Sequence, residues 1–296
     1  MRARLRPRIG RAFRRWGAIG AGEAGTQGAS VAALRRRPRT KHHTAQRDLG
    51  GREAVSNRGR SLVLTYHTMG IDTVIFDLDG VILDSEALWD DVRHDFALAH
   101  GGHWDEFDQP AVMGANSMRW AAHMREHNGV RQSDQEIYDG IVGELRARYA
   151  RQLPLMPGAR EAIADLAAVY RLGVASSSPR ELIDYALELA GLRDRFTAVV
   201  SSDEVARGKP APDVYREACI RLGTTPARAA AVEDSASGIE AALSAGLAVV
   251  AVPNPAYPPS AGVLARADTV IESIRELDRS VVAALERTEA ETNDGK

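Results

Sequence analysis

The chain has 296 residues, 44% apolar and 5% aromatic, which is enough aliphatic material for one large core or two moderate ones. Its one cysteine, Cys219, excludes an intrachain disulfide, and no apolar run approaches the roughly 18 residues of a membrane span. The formal charge of −2 hides an asymmetry: residues 1–60 carry 16 Lys and Arg against 3 Asp and Glu, leaving 22 basic and 37 acidic residues in the remainder. An acidic body argues against a nucleic-acid partner for residues 69–296. It does not exclude an anionic substrate, because the local field at a site decides that.

Residues 1–60 are rich in Arg, Gly and Ala and show no sustained strand or helix period. They read, through residue 68, as a basic, disordered N-terminal extension. The extension suits an arm for nucleic acid or acidic surfaces, or a targeting peptide, although it lacks an apolar signal core and is poor in serine. The favoured reading is translated upstream sequence, because Met69-Gly70 falls directly before the first strand. Gly20, Gly22 and Gly25 match G-x-G-x-x-G, but no strand precedes them, so the match carries no dinucleotide site.

From residue 71 the pattern becomes orderly. Thr73–Phe76 is a short apolar run ending in acids and a glycine, as a buried parallel strand does. Further strands are predicted at Leu172–Ala175, Ala198–Val200, Ala229–Val232, Leu247–Val252 and Thr269–Ile271. Predicted helices separate most of them: from Pro157-Gly158 through Tyr170, from Pro179 to near Gly191, from Ala211-Pro212, and around Gly238. Cys219 falls in the third of these, where it reads as a buried, inert thiol. Alternating strands and helices predict an α/β fold, a doubly wound, Rossmann-like parallel sheet covered on both faces. Residues 85–153 differ. Leu88, Val92 and Phe96, and again Ile137, Ile141 and Leu145, recur at helical spacing. The expected organisation is a core of residues 69–84 and 154–285, a helical module of residues 85–153, and a polar tail of residues 286–296.

Four segments carry candidate chemistry, each at or soon after a strand end, where open α/β sheets bind ligands. Asp77 and Asp79 in D-L-D-G form a carboxylate pair: one can attack phosphorus, and the other can move a proton. Taken alone, the pair also reads as a solvated acidic turn. Ser176 in ASSSPR can cradle phosphate oxygens. Taken alone, the segment reads as a Ser-rich turn; Ser177 and Ser178 are weaker candidates than Ser176, and one of those two is expected to cap the next helix. Lys209 in GKPAPD can neutralise a phosphate and a crowded carboxylate cluster. Lysine is rare in this body: only Lys209 and Lys296 accompany 20 arginines in residues 61–296, so Lys209 points to a need for a compact ammonium. Glu233 and Asp234 in EDSASG can complete an oxygen shell for a hard cation such as Mg2+; Asp234 or Ser235 reads also as the cap of the helix that follows, and the two roles can coexist.

The order D-x-D-G, Ser at a strand end, G-K-P, then E-D-S-x-x-G resembles the haloacid dehalogenase-like hydrolase superfamily, in the branch of β-phosphoglucomutase and sugar-phosphate phosphatases. The resemblance covers about residues 71–285. It implies Asp77 as nucleophile and Mg2+ ligand, and Asp79 as general acid/base that offers its backbone carbonyl to the metal. It also implies phosphoryl binding by Ser176, charge balance by Lys209, and Mg2+ binding by Asp234 with Glu233 in support. Residues 85–153 become a cap that closes over the crevice.

Within that family, the second aspartate and the Glu233-Asp234 pair favour phosphoryl transfer over dehalogenation. A mutase of this branch carries a histidine twelve residues after the nucleophile, where this chain has Trp89. It also carries an arginine three residues after a cap glycine, where Gly114 is followed by Ser117, with Arg119 out of step. DSEALWDD and LPLMPGAREA are similar instead to hexose- and polyol-phosphate phosphatases. The expectation is therefore a Mg2+-dependent phosphatase of a small phosphomonoester, monomeric and cytoplasmic, without membrane contact. The alternatives are a phosphomutase and, in another class, a non-catalytic binding protein that uses the basic arm. Glu86, Trp89, Asn116 and Arg119 are the cap residues expected to face substrate. Trp89 reads equally as packed on its own helix, and the favoured reading of Arg119 is a solvated helix face.

Overall fold

The computed structural model describes residues 53–57, 60–255, 257–285 and 287–292, with side chains over residues 70–255 and 257–285. The glycine motif near residue 20 and most of the basic extension lie outside the described residues. In chain order the strands are β1 (Glu53–Asn57), β2 (Arg60–Met69), β3 (Thr73–Phe76), β4 (Arg171–Ser176), β5 (Ala198–Ser201), β6 (Ala229–Glu233), β7 (Ala248–Ala251), β8 (Thr269–Val270) and β9 (Arg287–Thr292). The helices are α1 (Glu86–Ala99), α2 (Asp108–Val112), α3 (Ser117–Glu126), α4 (Asp134–Arg151), α5 (Ala159–Ala167), α6 (Arg180–Ala190), α7 (Asp213–Leu222), α8 (Ala236–Ala245), α9 (Ala261–Leu264) and α10 (Arg279–Ala283).

Six strands form one parallel sheet in the order β5-β4-β3-β6-β7-β8. β3 lies inside it, paired in parallel with β4 on one side and β6 on the other. Alternate residues of each strand point to opposite faces, and both faces are covered. Val74, Phe76, Leu172, Val174 and Val232 join one buried cluster with residues of α5 and α6. Ile75, Ala175, Val200 and Ala231 join another with residues of α7 and α8. Such double burial is what makes these strands continuous apolar runs. All the carboxyl ends point one way, which gathers Asp77, the Ser176–Ser178 turn and Glu233-Asp234 at one edge. Cys219 is buried in the second cluster, and burial pushes its thiol up to about 11, as an inert core cysteine requires.

Residues 85–153 contain four helices, α1 to α4. Ile137, Ile141 and Leu145 are fully buried at the predicted spacing. The buried stripe of α1 differs from the predicted one: it runs through Trp89, Val92, Arg93 and Ala97, while Leu88 and Phe96 are only partly buried. Trp89 is drawn inward because its indole N–H finds a carboxylate partner there. The chain enters and leaves this module side by side. Asp84 N donates to Pro154 O at 2.8 Å, and Met156 N to Ile82 O at 2.8 Å.

One expectation needs correction. Residues 53–57, 60–69 and 287–292 form a second, antiparallel sheet in the order β1-β2-β9, where the sequence predicted a disordered extension and a polar tail. The segment SLVLTYHTM is rich in strand-forming residues. Its partner β9 is more than 200 residues away in the chain, so no local pattern reveals the pairing.

Candidate active site

β3 ends at Phe76, and the next residue, Asp77, is buried under the crevice. Its backbone N–H donates to Val232 O at 3.0 Å, which ties the loop to β6. Gly80 then turns the chain with φ +79°, a conformation that favours glycine. A Cβ there would also lie 1.8 Å from Asp234 Oδ2. Gly80 thus lets the two acidic loops approach.

Lys209 joins the two sides. Its ammonium, almost wholly buried, donates to Asp77 Oδ1 at 2.8 Å and to Glu233 Oε1 at 2.6 Å. Burial opposes its charge, but Asp77 and Glu233 outweigh that and raise its pKa. Tyr215 OH adds a 2.5 Å bond to Glu233 Oε1, and Ser235 Oγ lies 3.3 Å from Glu233 Oε2. Both oxygens of Glu233 are therefore engaged by protein donors, which suits a group that anchors Lys209. Ser235 also caps α8 by accepting from Gly238 N at 3.1 Å. The capping expected of EDSASG thus falls on the serine and leaves Asp234 uncommitted.

Asp77, Glu233 and Asp234 form a buried acidic cluster whose ligand atoms lie within 4.8 Å of one another. Asp234 Oδ2 is buried without a hydrogen-bond partner. Burial, then the charges of Asp77 and Glu233, push Asp234 well above the usual carboxylate range. Burial raises Asp77 to about 8, with Lys209 opposing and Glu233 and Asp79 adding to it. Crowded buried carboxylates with an orphan acceptor are what a hard divalent cation would relieve.

Asp79 sits on the crevice face of the same loop and is held by a ring of donors. Ser85 Oγ donates to its Oδ1 at 2.6 Å and Trp89 Nε1 to the same oxygen at 3.0 Å. Ser178 Oγ donates to Oδ2 at 2.6 Å. Ser176 is fully buried, with its Oγ 3.5 Å from Asp79 Oδ2 and accepting from Ser178 N at 3.0 Å. Ser177 and Ser178, rather than Ser176, line the crevice. No serine caps α6, whose N-cap is Pro179; the hydroxyls serve Asp79 and, through Ser177, the backbone of the helical module at Gly114 O (2.8 Å).

The helical module of residues 85–153 contributes Glu86, Trp89, Arg93, Trp120 and the 112–115 loop to the crevice. Glu86 is half-buried, and its carboxyl is pushed up to about 7 by burial and by Asp79. Trp89 is buried in the helical module and also lines the crevice. Asn116 and Arg119 lie elsewhere, around a neighbouring depression beside Arg207 and Pro210. Asn116 Oδ1 caps α3 by accepting from Arg119 N, and the Arg119 side chain is exposed. Sequence reasoning missed Arg93, Gln109 and Tyr215. Arg93 follows Trp89 by one helical turn on the inward stripe, a signal available in the sequence; Tyr215 and Gln109 carried none.

A strand-end nucleophile candidate, a second carboxylate two residues on, a buried lysine clamp and an orphan acidic acceptor define a hydrolase site of one kind. A family model described as haloacid dehalogenase-like hydrolase matches residues 71–246. The chain belongs to that family, and within it to the branch of β-phosphoglucomutase and sugar-phosphate phosphatases. It is similar to hexitol phosphatase B of Escherichia coli K12, 33% identical over 187 residues, which span 61% of this chain and 83% of that protein. A phosphorylated carbohydrates phosphatase of Thermotoga maritima is 30% identical over 178 residues, 60% and 82% of the two chains. Among solved structures, that of CbbY from Rhodobacter sphaeroides in complex with phosphate superposes with a TM-score of 0.66 at 27% identity, covering 73% of this chain and all of that one. Among the described residues no helix is long and apolar enough to cross a membrane.

Proposed function

We propose that the protein is a Mg2+-dependent phosphatase of a small phosphomonoester, a hexose or polyol phosphate, acting through a phospho-aspartate on Asp77. The observation that carries the reading is the pairing of Asp77, clamped by Lys209, with Asp79 on the same loop. An Asp77 carboxylate oxygen attacks phosphorus, and the ester P–O bond breaks as Asp79, in its acid form, gives a proton to the departing alkoxide. Asp79 then takes a proton from water as that water attacks the aspartyl phosphate, and the P–O bond to Asp77 breaks. Lys209 and the Ser177-Ser178 turn hold the phosphoryl oxygens and balance their charge. Asp77, Asp234 and the backbone carbonyl of Asp79 would hold the magnesium ion, with Glu233 bracing Lys209 behind them. When bound, the ion supplies charge neutralisation between phosphate and carboxylates.

Trp89 favours hydrolysis over a mutase cycle: its indole N–H can only donate, and it donates to Asp79. Hexitol and carbohydrate phosphatases among the similar proteins favour a polyhydroxy substrate. The crevice encloses only about 40 Å3, room for a few waters, so a sugar phosphate enters with the cap drawn back. The protein acts as a monomer in the cytoplasm on this reading. The test is phosphate release from a panel of sugar, polyol and glycolytic phosphomonoesters, with Mg2+ and with EDTA. Asp77→Asn should lower release by several orders of magnitude. Release that persists in EDTA or in Asp77→Asn would refute the mechanism. Interconversion of β-glucose 1-phosphate and glucose 6-phosphate without release would make the enzyme a mutase.

A further inference from the structure

Residues 114–117 of the helical module are gripped by two side chains from consecutive strand ends of the parallel sheet. Ser177, just past β4, donates from Oγ to Gly114 O at 2.8 Å. Asp203, just past β5, accepts from Ser117 N on Oδ1 at 2.8 Å and from Ser117 Oγ on Oδ2 at 2.6 Å. Ser117 is the first residue of α3 and is 1% exposed. Asn116 accepts from Arg119 N, so the start of α3 draws one acceptor from its own chain segment and another from the sheet. A carboxylate suits that place, because the first N–H groups of a helix lack partners within it and carry partial positive charge. Where a mutase of this branch carries an arginine, this chain has Ser117, and its backbone and side-chain donors are both spent on Asp203.

The grip seats the module on the Lys209 loop. A Cβ on Gly114 would lie 2.2 Å from Ser237 Oγ and 4.0 Å from Lys209 Cβ, and one on Gly208 would lie 3.6 Å from Asn116 N. Glycine at both places lets the two segments meet with no side chain between them. Ala115 and Lys209 line the crevice, and both also line the depression of about 400 Å3 outside it that holds Asn116 and Arg119. Residues 114–116 are thus the partition between the two spaces. With the partition seated, Lys209 is 4% exposed, and its ion pairs to Asp77 and Glu233 lie away from bulk water, where charges act on one another and on a phosphoryl group most strongly. Lifted by the width of a water molecule, the partition would join the crevice to the open depression and wet the ammonium.

We propose that Ser177 and Asp203 form a clasp that seats residues 114–117 on the Gly208-Lys209 loop and so keeps water from the Lys209–Asp77 pair during phosphoryl transfer. Both are positioning residues in this role, and Asp203 acts through Ser117. The Ser177 hydroxyl has one proton, given to Gly114 O, so a phosphoryl oxygen held by Ser177 is held by its backbone N–H. The proposal rests on the phosphatase reading above.

The test is hydrogen exchange of the full-length protein with Mg2+, read by mass spectrometry, alongside phosphate release from the ester panel. Ser177→Ala leaves Asp203 in place, yet exchange over residues 112–120 should speed roughly three- to tenfold, the effect of losing one ordinary hydrogen bond in a local opening. Asp203→Ala strands two buried donors that only water can then satisfy, and exchange over 112–120 and over 206–211 should speed about tenfold or more. Asp203→Asn keeps one acceptor and should fall between Asp203→Ala and the wild type. Exchange in β3 should match the wild type, because a local opening leaves the sheet intact; a variant that is merely unstable would speed both. In Asp203→Ala, kcat should fall roughly tenfold with KM within about threefold, and Asp203→Asn should recover part of the loss. The proposal is overturned by unchanged exchange over 112–120 in Ser177→Ala, by faster exchange that spreads through β3, or by a wild-type kcat in Asp203→Ala. A wild type that releases no phosphate from any ester overturns the phosphatase reading and the catalytic role of the clasp, whereas the exchange results decide the clasp itself whatever the activity.

Discussion

Gly238→Ala should damage the enzyme although it places a better helix former in a helix. Gly238 lies in the first turn of α8, and a Cβ there would fall 2.0 Å from each of Cδ, Oε1 and Oε2 of Glu233. Ordinary contact needs roughly 3.5 Å, so the carboxylate must retreat by about 1.5 Å. A free glutamate would swing aside, but Glu233 is 0% exposed and its Oε1 accepts from Lys209 at 2.6 Å and from Tyr215 at 2.5 Å. The retreat stretches both bonds beyond hydrogen-bond range. Bonds to a charged group contribute about 1.5–3 kcal/mol each, against a helix gain of about 1 kcal/mol. The expected net loss is about 2–5 kcal/mol, or about 4–20 °C in Tm. Lys209 loses one anchor, and kcat should fall roughly hundredfold, as when one preorganised donor is removed from a transition-state site. Thermal unfolding by circular dichroism and phosphate release under saturating substrate measure the two effects. A variant that melts at or above the wild type, with kcat within twofold of it, would falsify the claim that Glu233 is locked.

Three further outcomes follow from the same geometry. Asp77 is raised to about 8 by burial, so between about pH 4 and 8 the metal-free folded state keeps a proton that the unfolded chain has released. Its stability must fall as pH rises across that window, by up to about 1.4 kcal/mol per pH unit for one proton. Denaturant titrations in EDTA should show the fall and a shallower one in Asp77→Asn; a stability that rises with pH there would contradict the assignment. Trp89→Phe keeps the ring but deletes the donor to Asp79 Oδ1, and kcat should drop roughly ten- to hundredfold with KM little changed. An equal kcat would show that the indole N–H does not orient Asp79. Removal of the basic residues 1–49 should leave kcat/KM unchanged; a loss of activity would bring back the basic arm as a functional element.

Much of the fold was legible because a parallel sheet buried on both faces writes its strands as uninterrupted apolar runs. Thr73–Phe76 was predicted with the bounds that the structure gives it, and the other core strands differ by one residue or so at their ends. The four chemical segments were visible for a related reason: polar residues directly after such runs must sit at the sheet's carboxyl edge. What stayed hidden depends on distant partners. The pairing of β2 with β9 joins opposite ends of the sequence. The inward turn of Trp89 depends on Asp79, ten residues away and outside the helix. Ser176, Ser177 and Ser178 lie together at the end of β4, but Ser176 is turned inward, its Oγ accepting from Ser178 N, while Ser177 and Ser178 line the crevice. Arg119 was attractive for its charge alone, yet the start of α3 turns it to solvent.

The side-by-side departure and return of the chain at residues 82–84 and 154–156 has a consequence for design. Because Asp84 pairs with Pro154 and Ile82 with Met156, the two severed ends of the core are already stitched together without help from the helices between them. The core can therefore treat residues 85–153 as a cassette. A chimera that carries a foreign helical module between those stitches should fold and keep the Asp77–Gly80 loop, provided the module still supplies donors to Asp79 in place of Ser85 and Trp89.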